Sequence, residues 1–99
     1  MGKASFARVT PYQLKPGMRD VATKKINGMK GQIMALHGMQ RFLNVVNSDN
    51  SGYIVAVLDS EEASNRNMAK VREIWGSMAD CLQEMPTPMG YDVVLEWEN

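Results

Sequence analysis

Apolar residues recur along the chain with two different periods. Met18, Ala22, Ile26, Met29, Ile33 and Leu36 follow one another at steps of four, four, three, four and three. Such steps line up on one face of a helix, with Arg19, Lys24, Lys25 and Lys30 on the opposite side. The pattern predicts a helix from about Pro16 to Leu36, with Pro16 at its start and Gly38 as a left-handed cap after His37. Gly28 and Gly31 lie inside it and each costs about 1 kcal/mol against alanine. They either weaken the middle of the helix or admit a close neighbour. Met68, Val71, Trp75, Met78, Leu82 and Met85 form a second stripe of the same kind. Ser60-Glu61-Glu62-Ala63 opens that helix, with a serine suited to the N-cap and two glutamates at the positive end of the dipole. Met85-Pro86-Thr87-Pro88 stops it.

Four shorter stretches read as strands. Ser5 to Gln13 puts Phe6, Arg8, Thr10 and Tyr12 on one face and Ala7, Val9, Pro11 and Gln13 on the other. Pro11 cannot donate to a ladder, which predicts an edge or a bulge at that point. Met39 to Asn47 and Tyr53 to Asp59 flank the turn cluster Asn47-Ser48-Asp49-Asn50-Ser51-Gly52 and form an antiparallel hairpin. Tyr91 to Trp97 alternates as a last strand. The order is strand–helix–strand, given twice. Two such units intercalate into a four-stranded antiparallel sheet with both helices on one face, a ferredoxin-like βαββαβ arrangement of the α+β class.

The strands are apolar on both faces. Ile54, Ala56 and Leu58 oppose Tyr53, Val55 and Val57, and Phe42 and Val46 oppose Leu43 and Val45. The helices cover one face only. The other is a larger apolar surface than a monomer usually exposes, and a second copy is the simplest cover. A two-fold homodimer is therefore expected.

Composition adds mainly exclusions. At 99 residues, residues 1–99 make one domain with a thin core. Eleven basic residues balance eleven acidic ones, so no basic excess speaks for nucleic acid as a partner. No stretch has the length of a membrane span, and no apolar run follows the N-terminus as in a signal peptide. Cys81 is the one cysteine, which leaves no disulfide framework and suits the cytoplasm. Nine methionines either fill an irregular core or soften a pocket.

Candidate chemistry is sparse. His37 and Cys81 lie in different elements and no ligand spacing joins them, so no metal site is expected. Cys81 has acidic neighbours in Asp80 and Glu84 and reads as a small apolar side chain rather than a reactive thiol. His37, at a helix end, is either a structural terminus or a general base at a pocket mouth. Trp75 either packs the core or walls a pocket for a flat molecule. Arg8 and Thr10 share a strand face with Tyr12. If that face meets the helices, Arg8 needs a partner or a ligand's anion, and otherwise its head lies in solvent. Asn44 and Asn67 are further polar candidates.

The chain resembles the antibiotic-biosynthesis-monooxygenase type of dimeric α+β barrel. Ala7-Arg8-Val9-Thr10-Pro11-Tyr12-Gln13-Leu14-Lys15-Pro16-Gly17 is similar to that family's first strand and Lys-Pro-Gly turn. His37-Gly38-Met39 stands where Pro-Gly-Phe is usual, and Leu58-Asp59-Ser60-Glu61-Glu62-Ala63 is similar to the Trp-Glu-Ser-Glu-Glu-Ala entry to the second helix. The resemblance implies a homodimeric barrel with a pocket between the sheet and helices of each protomer. Members of the family include cofactor-free oxygenases of polycyclic aromatic substrates, haem-degrading enzymes and isomerases, and others have no established activity. The function expected is a cofactor-independent monooxygenase acting on a small aromatic or quinone-like molecule; from the residues above, His37 and Arg8 would be catalytic and Thr10, Asn67 and Trp75 would bind substrate. Leu58 and Met39 replace usual aromatics. Thr10, Asn67 and Ser77 stand where the haem-degrading members have asparagine, tryptophan and histidine, which leaves no evident haem ligand. The alternative is a non-catalytic homodimer, structural or binding a small apolar ligand, favoured by the lack of any paired acid and base.

Overall fold

A computed structural model describes residues 4–99. Its elements are β1 (Phe6–Gln13), α1 (Arg19–Gly28), α2 (Lys30–Met34), β2 (Met39–Val46), β3 (Ser51–Leu58), α3 (Glu61–Arg66), α4 (Met68–Ser77) and β4 (Met89–Asp92), with a single 3-10 turn at Ala79–Cys81. The four strands form one antiparallel sheet in the order β2-β3-β1-β4. This is the expected ferredoxin-like α+β sheet.

The register decides which side chains share a face. Phe42, Ala56 and Arg8 lie in one row across β2, β3 and β1, and Asn44, Ile54 and Thr10 in the next. These rows look toward the helices. Leu43, Val55, Val9 and Met89 make a row on the other side, with Val45, Tyr53 and Pro11 beside it. β4 stops opposite Val9, so Pro11 faces an open edge on that side, where its missing N–H breaks no ladder. The hairpin turn closes as predicted. Asp49 accepts from the backbone N–H and hydroxyl of Ser51, and Asn50 takes the left-handed conformation at φ 69°.

Both helices are broken where one continuous helix is predicted. The first starts at Arg19, after a turn with Gly17 at φ +77°, and is interrupted at Met29 (φ −102°, ψ 10°). Gly28 and Gly31 flank that break and lower the helical preference on both sides of it. The second is interrupted at Asn67 (φ −90°, ψ −5°) and ends at Ser77, followed by the 3-10 turn. Met85, placed on the stripe by spacing, lies beyond the helix and is exposed. Ser60 caps α3 as expected, its Oγ accepting from Ala63 N at 3.1 Å. Gly38 is left-handed (φ +68°), and a Cβ there would sit 2.8 Å from Ala63 Cβ.

The last strand is shorter than the predicted Tyr91–Trp97. β4 is Met89–Asp92, and one further bond runs from Val93 N to Ser5 O. Its partner β1 begins at Phe6, and among the described residues no strand lies beside 94–97. Val94, Leu95 and Trp97 are 85%, 73% and 83% exposed. The filled core lies at the far end of β1, where Leu14, Ala22, Met78, Cys81 and Leu82 pack together. Cys81 is fully buried there. Among the described residues no helix is long and apolar enough to cross a membrane.

Candidate functional site

Beside this core, the helices stand off the middle of the sheet and leave a partly open pocket of about 80 Å³. Its sheet wall carries Phe42, Ile54, Ala56 and Leu58, and its helix wall carries Ile33, Met68, Val71 and Trp75. Polar groups reach it from Arg8, Thr10, Ser64 and Asn67. Among the described lining residues Arg8 is the only ionisable side chain. An engineered cavity of roughly 150 Å³ holds one benzene. A single ring therefore enters this pocket only with part of it in the mouth, or with flexible walls such as Met39 and Met68 displaced.

Arg8 is held from two sides. Its Nε donates to Ser64 Oγ at 2.6 Å and its Nη2 to Asn65 Oδ1 at 3.0 Å. Its guanidinium lies 5.0 Å from the centroid of the Phe6 ring, within cation–π range. All these partners are neutral, and no carboxylate among the described residues pairs with it. Thr10, two residues on and only 3% exposed, has no side-chain hydrogen bond among the described residues. Among the described residues no fully occluded side-chain polar atom lacks a partner, so this hydroxyl is open to the pocket.

Asn67 is committed to the fold. Its Nδ2 donates to His37 O at 2.9 Å, and its Oδ1 accepts from His37 N at 2.9 Å. The amide acts like a peptide group that ties the α3–α4 break to the end of the first helical layer. Asn67 is 3% exposed and lines the pocket, but both ends of its amide are engaged.

Trp75 lines the pocket and packs on Tyr12, with centroids 6.1 Å apart and planes inclined by 50°. The Tyr12 hydroxyl donates to Asn44 Oδ1 at 2.6 Å. Burial raises the Tyr12 pKa above its usual value; the Asn44 hydrogen bond and the charge of Arg19 pull the other way.

The structure thus gathers Arg8, Thr10, Asn67 and Trp75 of the five predicted site residues. It does not bring in His37, whose side chain is exposed and absent from the lining while its backbone is bound by Asn67. Sequence reasoning missed Ser64, the partner of Arg8. Steps of three and four back from Val71 through Met68 reach Ser64, so the helical stripe carried that signal. Among the described residues no three histidine, cysteine, aspartate or glutamate side chains gather as metal ligands would.

No protein-family model and no curated protein matches the chain. Solved structures match its fold. A candidate antibiotic biosynthesis monooxygenase from Bordetella bronchiseptica aligns with TM-score 0.78 at 13% identity, over 94% of this chain and 100% of its own. A monooxygenase from the gene ActVA-Orf6 of Streptomyces coelicolor, in complex with the ligand nanaomycin D, aligns with TM-score 0.78 at 14% identity, over 97% and 93%. A dimeric ferredoxin-like protein from an uncultured marine organism aligns with TM-score 0.73 at 12% identity, over 98% and 94%. Proteins of unknown function share the fold as well. The chain has the α+β ferredoxin-like fold of antibiotic-biosynthesis-monooxygenase-like proteins.

Proposed function

We propose that the chain is a homodimeric, cofactor-independent monooxygenase-like protein acting on a small aromatic or quinone-like molecule. The observation that carries this reading is the pocket. Trp75, Phe42 and aliphatic side chains offer an apolar wall to a flat ring, while Arg8 and Thr10 offer hydrogen-bond donors to an oxygen on that ring. No general base lines the pocket among the described residues, so the substrate must ionise readily by itself. A ring enolate held by Arg8 would pass an electron to dioxygen. Recombination would give a hydroperoxide, and loss of water would leave a carbonyl where the ring carried a CH₂. The fold shared with a monooxygenase solved in complex with the ligand nanaomycin D supports the same reading.

The dimer is supported by the outer sheet face. Leu43, Val45, Tyr53, Met89 and Tyr91 lie together there, each close to half exposed. Residues 94–97 extend from the same sheet without a partner strand among the described residues. A second copy covers the first and pairs the second.

Oxygen uptake with toluhydroquinone, menadiol and anthrone, taken in order of size, tests the reaction. Turnover is expected to fall with size, as the narrow pocket requires. No turnover above that of a Trp75→Ala, Arg8→Ala double variant would overturn the enzymatic reading. One observation favours a second reading, a non-catalytic binding dimer: Asn67 and the His37 backbone are bound to each other rather than poised for chemistry. Native mass spectrometry showing a retained aromatic ligand, together with no oxygen uptake, would decide for it.

A further inference from the structure

The charge balance of the pocket says more about its ligand than its shape does. Arg8 brings a permanent positive charge into an otherwise apolar lining, and its hydrogen-bond partners are the neutral Ser64 and Asn65. Taking a guanidinium partly out of water without a carboxylate costs free energy that an arriving anion offsets. Its Nη1 makes no hydrogen bond among the described residues, so donors remain for a ligand. Gly90 on β4 leaves room for this group: a Cβ there would lie 2.8 Å from Nη1 and 2.7 Å from Phe6 Cζ. The Thr10 hydroxyl is a second donor from a 97%-covered residue, also without a protein partner among those described. It follows Arg8 on the same strand face, about 7 Å along the chain.

We infer that the pocket selects aromatic acids: single-ring ligands that arrive with an ionised oxygen and place it between Arg8 and Thr10, with the ring toward Trp75. This rests on the pocket reading above and narrows it from any flat molecule to an anionic one.

The test uses sodium benzoate, its neutral isostere benzamide, and uncharged 1,4-benzoquinone, each titrated by calorimetry and by saturation-transfer NMR against the wild-type chain. Benzoate is expected to bind about tenfold more tightly than benzamide, as charge-assisted hydrogen bonds are about twice as strong as neutral ones. Arg8→Met abolishes the preference. Thr10→Val lowers benzoate affinity by about tenfold, the loss of one hydrogen bond to a charged oxygen. Gly90→Ala, which touches no described lining residue but Arg8, weakens benzoate and leaves benzamide unchanged. Equal binding of benzoate and benzamide to the wild type overturns this inference while leaving the pocket reading intact. Failure of all three, benzoquinone included, overturns both. Since the first comparison needs only the wild-type protein, a variant that does not fold cannot rescue the idea.

Discussion

The two faces of the sheet differ in what they add to an apolar ground. The face turned toward the helices sets the polar Arg8, Thr10, Tyr12 and Asn44 among Phe42, Ile54, Ala56 and Leu58, while the face turned outward carries Leu43, Val45, Tyr53, Val55 and Val9. Burial alone explains neither the polar set on the inner face nor the apolar set on the outer one. An inner polar set makes sense where a pocket is kept open for an oxygen-bearing ligand. An outer apolar set makes sense where a second sheet covers it. On the proposed function, the difference teaches that one layer of strands can serve two partners, a small molecule on one side and a copy of itself on the other.

The largest expected effect tests the outer face. Val55 and Leu43 lie opposite each other in the central row. In the proposed dimer, glutamate at both places leaves unpaired charge in the interface and costs about 4 kcal/mol or more. That is roughly a thousandfold in the dimer constant. Sedimentation of the Val55→Glu, Leu43→Glu chain should give a monomer at micromolar concentration. A wild-type chain that is already monomeric there removes the contrast between the faces altogether.

On the inner face the comparison sharpens between two buried polar residues. Asn67→Ala removes both bonds to the His37 backbone and leaves its N–H and C=O short of a partner, for a loss of about 3 kcal/mol. Urea unfolding measures it. Thr10→Val is the smaller and opposite case. The hydroxyl has no protein partner among the described residues, so stability should stay level or rise by up to about 1 kcal/mol. A loss of stability on Thr10→Val as large as that for Asn67→Ala would mean that Thr10 serves the fold rather than the pocket.

How far the residues foretell this varies with the range of the forces involved. The stripes that end at Leu36 and run through Trp75 were legible because helical spacing is local. The breaks at Met29 and Asn67 leave that spacing almost unchanged. The second goes with a bond between residues 30 apart in sequence, which no local pattern contains. Alternation put Arg8 with Thr10 on one face. It could not say which face meets the helices, because both are apolar elsewhere. Tyr91 to Trp97 alternates as a strand should, yet only Met89–Asp92 pairs, since a strand needs a neighbour as well as a pattern. His37 was singled out for its titration and its place at a helix end, and its exposed side chain lies outside the pocket lining.

The smallest effect separates the faces by pH. Tyr12, on the inner face, is held neutral chiefly by burial against Trp75 and Gly52, so its folded pKa lies above the unfolded value. A group of this kind binds its proton more tightly in the folded chain. Its contribution to stability is complete below the unfolded pKa near 10 and is lost as pH rises through the folded value. Wild-type stability should therefore fall as pH rises above about 10. Tyr12→Phe removes this part of the slope and also gives up the bond to Asn44. Urea midpoints for the two chains across that range check it. Parallel curves would show that the Tyr12 end of the inner face is as wet as the outer one, and the contrast in buried polar groups would then rest on Arg8 and Thr10.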